Sequence, residues 1–289
     1  MIASCLTLLT DYGYEDGLVG VLHAVCFTIA PGIPVIDLDH LVPRQDVRLG
    51  ALRLQRLLRY VPPGVHVAVV DPGVGSSRRA VALATAERVF VGPDNGLLLA
   101  AAREALETEG GGELRAVVLD REEYFLAPRS VTFDGRDVFA PVAARLASDT
   151  PLSEVGSPLD AALLVELRPP MLVVADDGSE ATLEVIQIDG FGNVQLSGGR
   201  ETLTALKMTR GDEATVCDLD SGAEVTAPVG SSFSDVRAGE TVLLIDSDGH
   251  IALSVNRGRA SDLLRAPLWG KVRLSSRRHQ RPAPLLFQA

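Results

Sequence analysis

The feature that most constrains the fold is a change of rhythm along the chain. Up to about residue 119, short β-rich runs alternate with segments of helical period; beyond Arg168-Pro169-Pro170 every apolar run is short and strand-like. Residues 5–10 read as a first strand, after which Leu18, Leu22, Val25 and Ile29 recur on one helical face. Residues 34–38 form a second expected strand, Val47, Ala51, Leu54 and Leu58 a helix, and residues 66–70 a buried strand. Further strands are expected at 80–85, 88–91 and 116–119, with a helix from Gly96 to about Glu107. This alternation predicts an α/β domain with a mostly parallel, Rossmann-like sheet covered by helices. In such sheets ligands gather beyond the carboxyl ends of strands. Asp11 and Asp71 each follow an expected strand directly and share that address.

Downstream, residues 172–175, 182–188, 214–217, 241–245 and 250–254 are strand candidates separated by Gly, Asp and Ser. They predict a small antiparallel β domain, a barrel or sandwich. The expected division is an α/β domain over residues 1–168 and a small β-barrel over 169–270. A basic tail over 271–289, with Lys271, Arg273, Arg277, Arg278 and Arg281, reads as a frayed, solvated end.

Composition limits the partners. A net charge of −11 argues against a nucleic-acid surface, which needs clustered Lys and Arg, and against an anionic membrane. No apolar run reaches membrane-spanning length, and the first ten residues lack a basic leader and cleavage pattern. Cys5, Cys26 and Cys217 have no metal-type spacing and read as buried small residues of a reducing, cytoplasmic setting. Neither metal nor cofactor is expected.

The run Val69-Val70-Asp71-Pro72-Gly73-Val74-Gly75, with Arg78 close behind, carries the most chemistry. A carboxylate leaves a buried strand into a turn shaped by Pro and Gly, and Arg78 can fold back over it. That arrangement suits a small nucleophile such as water, held between an acceptor and a cation; a plain turn with a surface ion pair is the alternative. Asp11 suits two neighbouring hydroxyls, as on a ribose. Asp16 either meets an ammonium group or caps the following helix. Asn95, in Gly92-Pro93-Asp94-Asn95-Gly96, either closes a turn or faces a ligand. Asp134, before Gly135, can point into a cleft, whereas Arg136 and Asp137 read as a helix-terminal ion pair. Phe191, between Gly190 and Gly192 with Asp189 and Asn193 outside them, can stack on a base or plug a hairpin. Ser247 and Val255 lie in turn-rich, ambiguous stretches.

Together these runs resemble the S-adenosyl-L-methionine (SAM) hydroxide adenosyltransferases, also called SAM hydrolases (adenosine-forming), relatives of fluorinating and chlorinating enzymes. The resemblance rests on the order of Thr-Asp-Tyr-Gly, Val-Val-Asp-Pro-Gly-Val-Gly with Arg78, Pro-Asp-Asn-Gly-Leu-Leu, Thr-Phe-Asp-Gly-Arg-Asp and Asp-Gly-Phe-Gly-Asn. It implies attack of water on SAM to give adenosine and L-methionine. Asp71 and Arg78 then match two members of a catalytic Asp-Arg-His set, and Asp11 the ribose-binding acid. Asp16, Asp189 and Ser247 match positions near the methionine end, and Asn193 and Val255 positions beside adenine. The resemblance also implies a homotrimer with sites between the first domain of one subunit and the second of its neighbour.

One departure stands out. The hydrolases this chain resembles usually read Thr-Phe-His-Gly-Arg-Asp where it has Asp134 in the histidine's place, and none of His23, His40, His66, His250 and His279 lies in a matching motif. A catalytically silent SAM- or adenosine-binding homologue is therefore the alternative reading. A halogenase would carry tyrosine at position 71, and a metal-dependent phosphatase would need oxygen ligands for Mg²⁺ or Mn²⁺.

Overall fold

Alternate residues of the first strands face different helices, and that alternation lays down three layers. The computed structural model describes residues 3–276, divided into one compact unit ending at Arg168 and another beginning at Pro169. The first carries β1 (Leu6–Thr10), α1 (Leu18–Ile29), β2 (Val35–Asp39), α2 (Val47–Leu57) and β3 (Val65–Val69). It continues through β4 (Ala80–Ala84), β5 (Val89–Pro93), α3 (Leu99–Thr108), β6 (Arg115–Val118), α4 (Ala140–Ala147) and β7 (Ser157–Leu159). Leu6, Leu8, Val67 and Val69 pack with Leu22, Cys26, Val142 and Ala143 on one side of the sheet. Leu9, Ala68 and Val70 pack with Leu54, Ala101 and Ala105 on the other. Strands covered on both faces need no polar side, which is why β3 and β4 are buried throughout.

The strand order is β2-β1-β3-β5-β4-β6-β7. The first four are parallel neighbours; β4 and β7 run the other way, so the sheet is mixed. The cause is local: only four residues link β4 to β5, far too few for a parallel crossover, and the pair closes as a hairpin. From β1 the chain moves first to β2 on one side and then to β3 on the other. Thr10 and Val69 are register partners, so the loops opening with Asp11 and Asp71 leave adjacent strand ends.

The second unit contains β8 (Leu172–Val174), β9 (Glu180–Ile188), β10 (Val194–Gly199), α5 (Arg200–Ala205), β11 (Glu213–Asp218), β12 (Glu224–Pro228), β13 (Thr241–Ile245), β14 (His250–Val255), α6 (Ser261–Leu264) and β15 (Lys271–Ser276). Its sheet runs β12-β11-β15-β9-β10-β14-β13, all antiparallel, with β8 also on β9. A bridge between Val229 and Leu243 brings the two ends of this path together, giving a nearly closed barrel around Leu183, Leu196, Val216, Leu253 and Leu274.

β15 corrects the expected tail. Lys271–Ser276 pairs with both β9 and β11, in the middle of the barrel wall. Its alternation of Val272 and Leu274 inward with Lys271 and Arg273 outward is the period of a half-buried strand, which the density of basic residues obscured. Arg277, Arg278 and Arg281 lie outside the described residues, as does His279. Among the described residues no helix is long and apolar enough to cross a membrane. The three cysteines are buried and unpaired, and burial pushes the Cys26 thiol up to about 12.

Candidate active site

The site grows from the end of β3. Asn95 donates its side-chain N–H to the Val70 carbonyl at 2.8 Å and accepts the Leu97 N–H at 3.2 Å. It thus clasps the strand end from beneath and does not line the cleft. The chain then turns tightly: Ser76 N–H donates to the Gly73 carbonyl at 3.1 Å, and Gly75 sits at φ 77°. A side chain at Gly75 would be strained there and would meet the Val131 carbonyl at 2.9 Å.

That turn returns Arg78 onto Asp71, with Nε at 3.1 and 3.0 Å from the two carboxylate oxygens. Its Nη2 donates to Asp71 as well and, at 2.6 Å, to Oδ2 of Asp134. Asp134 opens the helical segment that runs through a π-turn, Gly135–Phe139, into α4; such turns recur at functional sites. The other oxygen of Asp134 accepts Nη2 and Nε of Arg129 at 2.9 and 3.2 Å. The Asp71 and Asp134 side chains are only 6% and 3% exposed, and in so dry a setting charge pairing is strong. Burial works against the Arg78 cation, but the hydrogen bonds and charges of Asp71 and Asp134 outweigh it and raise its pKa.

Tyr12 forms the adjoining wall. Its ring meets Phe133 edge-on at 5.7 Å, and a Cβ on Gly135 would fall 2.2 Å from its hydroxyl oxygen. Burial first, and then the charges of Asp11, Asp71 and Asp134, push the Tyr12 phenol upward, so it stays protonated. Asp11 accepts the Gln45 N–H at 2.8 Å. Together Asp11, Tyr12, Asp16, Arg44, Asp71 and Asp134 surround a cleft of about 450 Å³. A larger hollow of about 1480 Å³ opens at the amino-terminal ends of β3 and β5, against Val65 and Val89, away from the strand ends where these acids converge. The chemistry favours the smaller cleft. Among the described residues no three His, Cys, Asp or Glu side chains could together hold a metal ion.

In the second unit, the turn between β9 and β10 is braced by Asp189. Its carboxylate accepts the Phe191 and Asn193 N–H groups at 2.9 Å each, and the Asn193 side chain at 2.8 Å. Phe191 is 81% exposed, so it does not plug the hairpin. Leu253 pairs with Val194, so Val255 emerges at this same end of the barrel. Ser247 lies in the turn before β14, at the opposite end of that strand, which is about 17 Å long at strand rise. Sequence order alone could not separate them.

Sequence reasoning singled out Asp11, Asp16, Asp71, Arg78 and Asp134; the fold brings the four acids to one cleft, with Arg78 bound to Asp71 and Asp134 at its wall. It missed Tyr12, Arg44 and Arg129. Tyr12 was hidden beside the more conspicuous acids, and nothing local marks Arg129, whose partner is fixed only when its loop packs.

Residues 6–156 match the SAM hydroxide adenosyltransferase N-terminal domain, and residues 183–273 the corresponding C-terminal domain. The chain is 42% identical over 271 residues to an (R)-S-adenosyl-L-methionine hydrolase of Salinispora tropica, covering 94% of this chain and 97% of that one. A Thermus thermophilus protein of the same name is 39% identical, with 89% and 93% covered. A crystal structure of an uncharacterized conserved protein from Thermotoga maritima superposes with a TM-score of 0.84 at 34% identity, covering 93% of this chain and 99% of that one.

Proposed function

Because this chain belongs to the SAM hydroxide adenosyltransferase family, we infer that it hydrolyses S-adenosyl-L-methionine to adenosine and L-methionine. The observation that carries the reading to particular residues is the Asp71–Arg78–Asp134 cluster at the end of β3, facing a cleft whose other wall bears Asp11. In this proposal Asp11 takes the ribose hydroxyls and Asp16 the methionine ammonium. The acids around the cleft balance the substrate's sulfonium.

Asp71 cannot generate free hydroxide. Moving a proton from water (pKa about 15.7) to an ordinary aspartate (about 3.9) would cost roughly 16 kcal/mol. Arg78 cannot be the base, since a guanidinium stays protonated. The proposed course is concerted. Water, hydrogen-bonded to Asp71, attacks C5′ in line with the sulfur; the C5′–S electron pair leaves with sulfur as a neutral thioether. The water proton passes toward Asp71, and on to solvent, as the C–O bond forms. Positioning can then supply much of the rate, since well-oriented reactants save on the order of 7–11 kcal/mol. A carboxylate at position 71 also repels halide, which favours water as the nucleophile.

The proposed assembly is a homotrimer, and Phe191, Asn193 and Val255 are the proposed adenine contacts. Asp189 also shapes their turn, and Asp189 and Ser247 are the proposed contacts toward the methionine end. Sedimentation analysis tests the assembly. The reaction is tested by incubation with SAM in ¹⁸O-labelled water: mass spectrometry should find label at the adenosine 5′ oxygen. Binding of SAM without adenosine release would select the silent homologue instead.

A further inference from the structure

Two carboxylates around one guanidinium leave a buried site with excess negative charge, and the structure supplies a second guanidinium from outside the cleft. Arg129 makes a two-pronged contact with Oδ1 of Asp134, on the side away from Arg78. Its side chain is 42% exposed and lies against the Phe125 ring at 5.4 Å. We propose that Arg129 is a positioning residue for the reaction: it holds Asp134 as a carboxylate turned onto Arg78, and so fixes the guanidinium that anchors Asp71. The inference rests on the hydrolase reading above and assigns a role to a residue outside the cleft wall.

The hydrogen-bond inventory supports a division of labour between the acids. Asp134 spends one oxygen on Arg129 and the other on Arg78. Among the described residues Oδ1 of Asp71 meets only the shared Nε of Arg78, and retains capacity to accept from water. Asp71 is therefore the acceptor toward the nucleophile, and Asp134 is the brace. The charged or titratable groups around Asp134 are Arg78 from the turn after β3, Asp71 beyond it, Arg129 from the loop before Ser130, and Tyr12 from the loop after β1. Arg136 and Asp137 of its own helical segment pair with each other. Of the two cations bound to Asp134, Arg129 is the one that does not also hold Asp71.

Arg129→Gln and Arg129→Lys in the full-length protein test this. Removing the guanidinium frees Asp134 to turn and so loosens the Arg78 that anchors Asp71; kcat should fall by about tenfold or more, as misplaced reacting groups do, while KM changes less. Arg129→Lys should restore most of the lost kcat, because a cation remains. A kcat for Arg129→Gln within twofold of wild type would overturn the proposal. A second arm needs no turnover. Arg129→Gln should lower the urea midpoint in the wild-type background and leave it unchanged in Asp134→Asn. An equal drop in both backgrounds would reduce Arg129 to packing on Phe125 and sink the idea. Wild-type protein that releases no adenosine would defeat the hydrolase reading, and the urea comparison would still decide whether Arg129 braces Asp134.

Discussion

Arg78 and Asp134 stand 56 positions apart in the chain, yet they meet at 2.6 Å. The same Arg78 Nη2 also binds Asp71, so one cation ties the loop after β3 to the start of the helical segment before α4. Both carboxylates are almost fully shielded, which makes the bridge a charge-assisted one in a poorly solvated place.

Asp71→Asn keeps the shape of the side chain and removes its charge. Turnover of SAM should fall by about 10²–10⁴, the usual contribution of a positioned proton acceptor. The test is adenosine release by chromatography; a variant within twofold of wild type would remove Asp71 from the proposed chemistry.

Asp134→His installs the residue that the family resemblance implies here, but it sets an imidazole between Arg78 and Arg129. Alone, this change should lower activity and depress the protonation of the new histidine, because two guanidiniums face it. Combined with Arg129→Val, activity should recover above that of the single variant. Steady-state kinetics from pH 5.5 to 9 decide the matter, and indistinguishable single and double variants would count against charge compensation.

Gly135→Ala would drive a methyl group into the Tyr12 hydroxyl, only 2.2 Å from the new Cβ. Overpacking of this kind costs about 1–3 kcal/mol and would shift Tyr12 out of the cleft wall. Adding Tyr12→Phe removes the clashing oxygen and leaves the nearest ring carbon at 3.2 Å, so stability should largely return. Urea unfolding of the three variants provides the check; no recovery in the double variant would mean that the strain lies elsewhere.

His66 is wholly buried between Thr7 and Arg88, and burial, helped by the Arg88 charge, pushes its pKa down to about 3. The folded protein therefore keeps this imidazole neutral while the unfolded chain protonates it below about 6.5. The unfolded state binds the extra proton, so stability should fall as pH drops from about 6.5 toward 3, by up to about 1.4 kcal/mol per pH unit. In His66→Gln that part of the slope should vanish, as followed by urea unfolding at several pH values. A slope identical to wild type would show that other groups dominate acid unfolding.

Much of this architecture is written in short-range pattern. The apolar run of β3 followed by Pro72 and Gly73 fixes where a strand must stop, and the same holds for β1 before Asp11. The reversed β4 follows from a link too short to cross the sheet, but alternation of strands and helices does not reveal it, because both arrangements bury the same residues. Asn95 reads equally well as a ligand contact or a turn clasp until the Val70 carbonyl is seen beside it.

The sequence by itself determined the two-unit plan, the strand ends that present Asp11 and Asp71, and the return of Arg78 seven residues later, because periodicity and turn residues act over a few neighbours. Only the tertiary structure decided that Asp134 completes the bridge to Arg78 and that Lys271–Ser276 belongs to a barrel wall. Those contacts join segments distant in the chain. Their partners are selected by strand order, register and side-chain packing, none of which a local pattern encodes.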